Sequence, residues 1–126
     1  MIRLTLARGV QLETGRDCRG EPRLVRLDAA QGFPASVERW VQSLGPWQTF
    51  GPAFGWVDVP GRFRMYGIRN HTLRIVFRQK AAGTEAQSLL MQLGKLLEQA
   101  GWPGAMPLPE PLQKEFALWD NEVTTS

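Results

Sequence analysis

The stretch of residues 62–79, RFRMYGIRNHTLRIVFRQ, decides the fold, because polar and apolar side chains alternate along both of its halves. Alternation with a period of two is typical of a strand that buries one face. Phe63 and Met65 share one side of the first half, and Leu73, Ile75 and Phe77 share one side of the second. The residues between them, 69–72, predict a turn. The stretch therefore predicts an antiparallel hairpin.

Further elements are predicted on the N-terminal side of this hairpin. Residues 2–13 alternate as one strand, or as a strand bent near Gly9, and residues 23–28 predict a strand that pairs back with it. Residues 36–44 predict an amphipathic helix, because apolar residues recur at i, i+3, i+4 and i+7. These are Val37, Trp40, Val41 and Leu44. Two Gly-Pro pairs in residues 45–56 oppose a regular element there, before a short strand over 56–59.

The C-terminal side predicts two helices separated by an extended segment. Residues 84–100 carry a leucine-rich stripe at helical spacing, and Thr84 with Gln87 matches a capping box. Residues 101–111 contain four prolines and two glycines, which predicts extended chain. Beyond them, apolar residues at i, i+4 and i+7 predict a short amphipathic helix.

These elements together predict an α+β fold. We expect an antiparallel sheet of four to six strands, covered on one face by the helices 36–44 and 84–100. We further expect residues 1–103 to form a single domain, and residues 104–126 to form a proline-rich C-terminal arm with a short amphipathic helix.

The length of the chain and its few cysteine and histidine residues exclude several classes of protein. The chain has 126 residues and a mass of 14.2 kDa, which suits one domain. Cys18 and His71 are its only cysteine and histidine, so a disulfide framework and a Cys- or His-rich metal site are excluded. We expect no metal and no cofactor. No apolar run approaches the ~20 residues that cross a bilayer, and no secretory signal pattern is present, so we expect a cytoplasmic protein without membrane association.

Positive charge is concentrated in the first part of the chain. Residues 1–80 carry a net charge of +7 and residues 81–126 a net charge of −4, which gives +3 for the whole chain. This asymmetry favours an anionic partner or self-association, although two solvated surfaces would produce the same pattern.

No conventional catalytic or cofactor motif is present. The sequence lacks a GxxxxGK phosphate loop and the GxGxxG, HExxH and GxSxG motifs. Cys18 and His71 could act as nucleophile and base only if the fold brought a polar loop and a hairpin turn together, and their spacing does not require this. We therefore expect no catalytic residues and a protein that is not an enzyme.

The hairpin carries a nucleic-acid hypothesis. Its polar side presents Arg64, Tyr66, Arg74 and Arg78, and Arg3 and Arg26 join them if the N-terminal strands belong to the same sheet. Guanidinium groups pair with phosphates and bases stack on aromatic rings, so this face suits nucleic acid. A solvated sheet face would have a similar composition. Ile68 and Val76 on the same side favour cover by another protein.

Two other segments carry a protein-interaction hypothesis. The partner-binding residues that we predict are Trp47, Phe50 and Phe54 in the aromatic segment and Leu112, Phe116 and Trp119 in the last helix. Alternatively, the aromatic residues cap the core or line a small-molecule pocket between helix and sheet. For the last helix we expect self-docking, in cis or in a dimer, before docking on a foreign partner.

A non-enzymatic protein-interaction module is the function that we expect first. It would be an inhibitor, an immunity-type partner or an accessory subunit of a larger complex, acting through a protein partner or through self-association. Nucleic-acid binding through the arginine and aromatic sheet face is the alternative. The two differ in salt dependence, because phosphate contacts release counterions on binding.

Overall fold

The computed structural model describes residues 2–16, 23–78 and 81–124, and within them the chain forms seven strands and three helices. In chain order these are β1 (Arg3–Ala7), β2 (Val10–Arg16), β3 (Arg23–Ala29), α1 (Ala35–Ser43), β4 (Trp47–Thr49), β5 (Phe54–Val59), β6 (Phe63–Ile68), β7 (Thr72–Phe77), α2 (Gly83–Gln99) and α3 (Glu110–Thr124). The strands form one antiparallel sheet in the order β1-β2-β3-β7-β6-β5-β4. The predicted α+β class with an antiparallel sheet is confirmed, and the sheet has more strands than the four to six expected.

The predicted hairpin forms β6 and β7 near the middle of the sheet, where Met65 pairs with Ile75. The chain reverses at Arg69 and Asn70, whose φ angles are 52° and 56°. A type I′ turn requires this left-handed conformation at both central residues, and its twist matches that of the flanking strands. The Asn70 side chain donates a hydrogen bond to the carbonyl of Phe33 at 2.8 Å, which ties the turn to the segment before α1.

The alternating residues 2–13 contain two strands instead of one. The chain turns at Gly9, whose φ of 80° suits a residue without a Cβ atom. The pairing register between β1 and β2 shifts between Thr5 and Ala7, and both Leu6 and Ala7 are buried. β2 then pairs with β3, as expected for the second predicted strand.

The aromatic segment 45–56 forms β4 and the start of β5, where we expected irregular chain. The Gly-Pro pairs lie outside the paired residues of both strands. Gly45 and Pro46 precede β4, and the second pair lies in the β4–β5 turn, where Gly51 has a φ of 73°. Proline therefore removes no hydrogen bond from the ladder, and the sheet gains an edge strand.

One side of the sheet, here named the inner face, shares a single buried cluster with the helices. Its members from the strands include Leu12, Val25, Leu27, Val57, Phe63, Met65, Leu73, Ile75 and Phe77. The helices contribute Val37 and Val41 from α1, Leu90, Leu93 and Leu97 from α2, and Leu112, Phe116 and Trp119 from α3. The opposite side, here named the outer face, presents half-buried and exposed side chains. Both predicted helices, 36–44 and 84–100, are confirmed within about one residue at each end.

The predicted capping box at the start of α2 does not form. The N-cap residue is Ala82, so Thr84 already lies inside the helix. Its hydroxyl donates to Oδ2 of Asp120 at 2.9 Å, and the backbone N–H of Gly83 donates to Oδ1 of the same carboxylate at 2.9 Å. α3 therefore caps α2 with a side chain distant in sequence.

The last helix folds back onto its own chain. Leu112 and Phe116 are fully buried, and Trp119 is 2% exposed. The Trp119 ring lies edge-on to Phe77 with a centroid distance of 6.0 Å, and the Arg23 guanidinium lies 5.3 Å from the same ring. The helix predicted beyond residue 111 thus docks in cis, and residues of the segment 104–124 share the core of the rest of the chain.

Candidate functional site

The strand register places a row of residues side by side across the outer face. Directly paired residues of an antiparallel sheet point to the same side and lie ~5 Å apart. The row runs across all seven described strands in the order Arg3, Glu13, Arg26, Arg74, Tyr66, Trp56 and Gln48. It places Tyr66 between Arg74 on one neighbouring strand and Trp56 on the other.

All six residues of the nucleic-acid hypothesis lie on this outer face. They are Arg3, Arg26, Arg64, Tyr66, Arg74 and Arg78. Most of them alternate along their strand with buried inner-face residues. Arg3 is placed by its pairing with Glu13, which alternates with buried residues of β2. The sequence could place them together only on the condition that the N-terminal strands belong to the same sheet. The pairing of β3 with β7 meets that condition.

Carboxylates on the same face hold most of these arginines. Asp58 accepts hydrogen bonds from Arg64 at 3.4 Å and from Arg78 at 3.3 Å. Similar ion pairs join Arg3 to Glu13 at 3.5 Å and Arg26 to Asp28 at 3.0 Å. These pairs are partly solvated, so each stabilises the fold little, but together they fix the positions of the guanidinium groups.

Arg64 carries the one outer-face pKa that departs clearly from its ordinary value among the described residues. A hydrogen bond with the Tyr66 side chain is the largest cause that raises the pKa of Arg64, and Asp58 raises it further. Any arginine guanidinium is charged at physiological pH, so Arg64 presents a permanent positive charge on this face.

Arg74 differs from its neighbours, because no described carboxylate lies within ion-pair distance of it. Its side chain is exposed, and its cross-strand partners are Arg26 on one side and Tyr66 on the other. Like charges directly opposite one another on a sheet are destabilising. An anionic group brought to this point would relieve that repulsion.

An aromatic cluster borders the arginines on the side of β5. The ring of Phe54 lies 5.9 Å from Trp56 and 5.9 Å from Tyr66, measured between centroids, and all three side chains are half-buried. Trp56 was not among the predicted site residues. The alternation of residues 54, 56 and 58 was the signal that could have placed it here, once β5 was extended back to Phe54.

The three partner-binding residues predicted in the aromatic segment point in different directions. Trp47 pairs with Val57 and packs on the inner face, against Gly55 and Gly67. Phe54 lies on the outer face, and Phe50, 74% exposed, lies in the turn between β4 and β5. The alternation within a β-hairpin separates them, so only Phe54 joins the outer-face site.

The other predicted partner-binding residues, Leu112, Phe116 and Trp119, lie in the core of their own chain. They could contact a partner only if α3 left the sheet. We do not include them in the candidate site.

The structure does not test the conceivable Cys18–His71 pair. Cys18 is outside the described residues, and Nδ1 of His71 lies 3.1 Å from the carbonyl oxygen of Ala29 at the β6–β7 turn. In the described ranges no three His, Cys, Asp or Glu side chains cluster as metal ligands would. None of the described helices combines the length and apolar character needed to cross a bilayer.

Comparison of the chain with protein-family models, with curated proteins and with solved structures gave no match.

Proposed function

We propose that this chain is a non-enzymatic protein-interaction module, of the inhibitor, immunity-type or accessory-subunit kind, that binds a protein through the outer face. The observation that carries the proposal is the cross-strand row in which Arg26, Arg74, Tyr66 and Trp56 lie side by side on four neighbouring strands. Arginine, tyrosine and tryptophan are the residues most enriched among interface hot spots. Strand pairing holds their backbones in place, so binding orders little that is not already ordered.

The chemistry of the face indicates an acidic partner surface with an apolar centre. Five arginines stand against three carboxylates on the outer side of the described strands, which leaves an excess of positive charge. Between them lie half-buried or exposed apolar side chains, namely Leu24, Phe54, Trp56, Ile68 and Val76. Mixed charge around apolar side chains is typical of protein interfaces, whose polar rim surrounds a dry centre.

Affinity capture of partner proteins from the cells that express the chain tests this proposal. The capture compares the unmodified chain with two charge-reversal variants. Arg74→Glu reverses an outer-face charge, and Lys114→Glu reverses an exposed charge on α3. We expect a partner retained by the unmodified chain and by Lys114→Glu to be depleted at least tenfold by Arg74→Glu, because a hot-spot arginine contributes ~2 kcal/mol or more. Equal retention by all three proteins would contradict the use of this face.

Nucleic-acid binding is the second candidate, favoured by the pairing of Arg74 with Tyr66 across neighbouring strands of the same row. Guanidinium groups could pair with phosphates while bases stack on Trp56 and Tyr66. Two observations weaken this reading: carboxylates already hold Arg26, Arg64 and Arg78, and the aromatic rings are half-buried.

Fluorescence anisotropy with labelled mixed-sequence single strands and duplex separates the two candidates. Phosphate-driven binding would weaken steeply between low and near-physiological salt, since each neutralised phosphate releases counterions. It would also be lost in the double variant Arg64→Ala, Arg74→Ala. We expect flat anisotropy at both salt concentrations. Salt-sensitive binding that the double variant abolishes would place nucleic acid ahead of a protein partner.

A further inference from the structure

A cleft of about 290 Å³ lies on the inner side of the sheet, between α1 and the β4–β5 end. It lies on the inner side of the strands, although Phe54 of the outer-face aromatic cluster also contributes to its lining. Its apolar lining comes from Val37, Val41, Trp47 and Leu73. Small-molecule sites are clefts of this kind, with apolar walls and a few polar groups, and ~300 Å³ is the lower end of their range.

Two inner-face positions that line the cleft lack side chains, which makes room for an aromatic ring. Gly55 and Gly67 pair directly across β5 and β6, and Gly67 pairs with Leu73 on its other side. The Trp47 indole fills the space over Gly55 and reaches Gly67, where an added Cβ atom would lie 3.3 Å from the ring. The ring therefore lies over both glycines and forms an aromatic wall of the cleft.

Two opposite charges stand at the mouth of the cleft. Glu38 comes from the first turn of α1, and its carboxylate accepts a hydrogen bond from Gln42 at 3.4 Å. Arg69 comes from the β6–β7 turn, where its backbone N–H donates to the carbonyl of Ala53 at 2.7 Å. Both side chains are exposed, and within the described residues neither forms an ion pair.

We propose that this cleft binds a small zwitterion with an apolar ring, of the chemical class of a free aromatic amino acid. Its ammonium group faces Glu38, its carboxylate faces Arg69, and its ring packs beside the Trp47 indole in the offset or edge-on geometry that aromatic pairs prefer. The cleft volume suits a small ligand, and the two charges, neither of which forms an ion pair within the described residues, favour a molecule that carries both signs.

Titration of the protein with three related probes tests this assignment. Two-dimensional NMR spectra of the protein detect the binding. L-phenylalanine carries both charges, phenethylamine only the cation and 3-phenylpropionate only the anion. We expect phenylalanine to bind most tightly, with chemical-shift changes centred on Gly55, Gly67 and the Trp47 indole N–H. Absence of saturable shifts with any probe at millimolar concentration, or shifts centred elsewhere, would overturn the proposal.

Charge variants then test how the ligand is oriented. Glu38→Gln should weaken phenylalanine and phenethylamine by about two- to fivefold and leave 3-phenylpropionate unchanged, since an exposed ion pair contributes this much. Arg69→Asn, which tolerates the left-handed turn, should weaken phenylalanine and 3-phenylpropionate instead. Glu110→Gln and Lys114→Glu, both on α3, which contributes no residue to the described lining of the cleft, should change none of the three affinities. The same loss for all three probes in Glu38→Gln would contradict the orientation.

Discussion

Asp120 shows how one residue joins two helices. Its carboxylate oxygens accept hydrogen bonds at 2.9 Å from the Gly83 N–H and from the Thr84 hydroxyl at the start of α2. The first N–H groups of a helix have no partner within the helix, and negative charge there also complements the helix dipole. α3 thus supplies the cap that the sequence around α2 does not provide itself.

Removing this carboxylate should destabilise the protein measurably. We expect Asp120→Ala to lower the free energy of unfolding by about 1–2 kcal/mol, as the loss of a helix cap does. Asp120→Asn keeps one acceptor oxygen and should lose less. Urea denaturation followed by circular dichroism measures both, with the exposed Glu110→Ala as control, expected within about 0.5 kcal/mol of the unmodified chain. Equal losses in all three variants would show that the Asp120 contact is not a cap.

Gly55 is a second residue whose identity the fold requires. A Cβ atom at this position would overlap the Trp47 ring and lie 2.9 Å from the carbonyl oxygen of Gln48. We expect Gly55→Ala to lower the free energy of unfolding by about 1–3 kcal/mol, the usual cost of overpacking. Gly67→Ala, whose Cβ atom would lie 3.3 Å from the same ring, is the matched control and should lose less. The opposite ranking in thermal or urea denaturation would contradict the packing of Trp47.

At the scale of elements, the position of α3 depends on contacts with residues that are distant in sequence. Its inward residues could be predicted from their i, i+4 and i+7 spacing, because an amphipathic helix must bury its apolar side. The surface that receives them could not, since docking in cis depends on the Phe77 ring and the Arg23 guanidinium, which are distant in sequence. A local pattern does not distinguish these contacts from the groove of another protein.

Truncation of a buried α3 side chain tests this docking. We expect Phe116→Ala to lower the free energy of unfolding by about 3–5 kcal/mol, because the removed ring leaves a cavity in the core. Leu118→Ala on the same helix, 54% exposed, should change it by less than about 0.5 kcal/mol. Similar small effects in both variants would mean that α3 does not pack on the sheet in solution.

The strands also differ in whether local sequence patterns could predict them. The β6–β7 hairpin and β3 could be predicted because each alternates over several residues. β4 could not, because it has three residues and is flanked by Gly-Pro pairs that are typical of loops. Missing β4 and the first residues of β5 left Trp47 and Phe54 without the alternation that sends them to opposite faces, and the shortened β5 left Trp56 out of the predicted site.

At the scale of the whole molecule, the interaction surface that we propose on the outer face includes a pair of like charges. Arg26 and Arg74 lie directly opposite one another on β3 and β7, where like charges repel. We expect a repulsive arginine pair at a position where the positive charge serves binding and does not serve folding. The proposed function therefore predicts opposite effects of one substitution on stability and on binding.

Arg74→Glu should raise the free energy of unfolding by about 0.2–1 kcal/mol, because it converts the repulsive cross-strand pair with Arg26 into an attractive one. The same variant should lose partner binding. Urea denaturation at low salt measures the first effect, and added salt should reduce it by screening. Destabilisation by Arg74→Glu would show that this arginine serves the fold instead of a partner.

The most direct test of the outer face is site-specific photo-cross-linking in the cells that express the chain. A photoreactive phenylalanine analogue replaces Tyr66 in the centre of the face in one variant, and the exposed Leu118 on α3 in another. The account predicts a discrete protein adduct from position 66 that the added substitution Arg74→Glu removes, and no such adduct from position 118. Adducts from position 118 alone, or none from position 66, would contradict it.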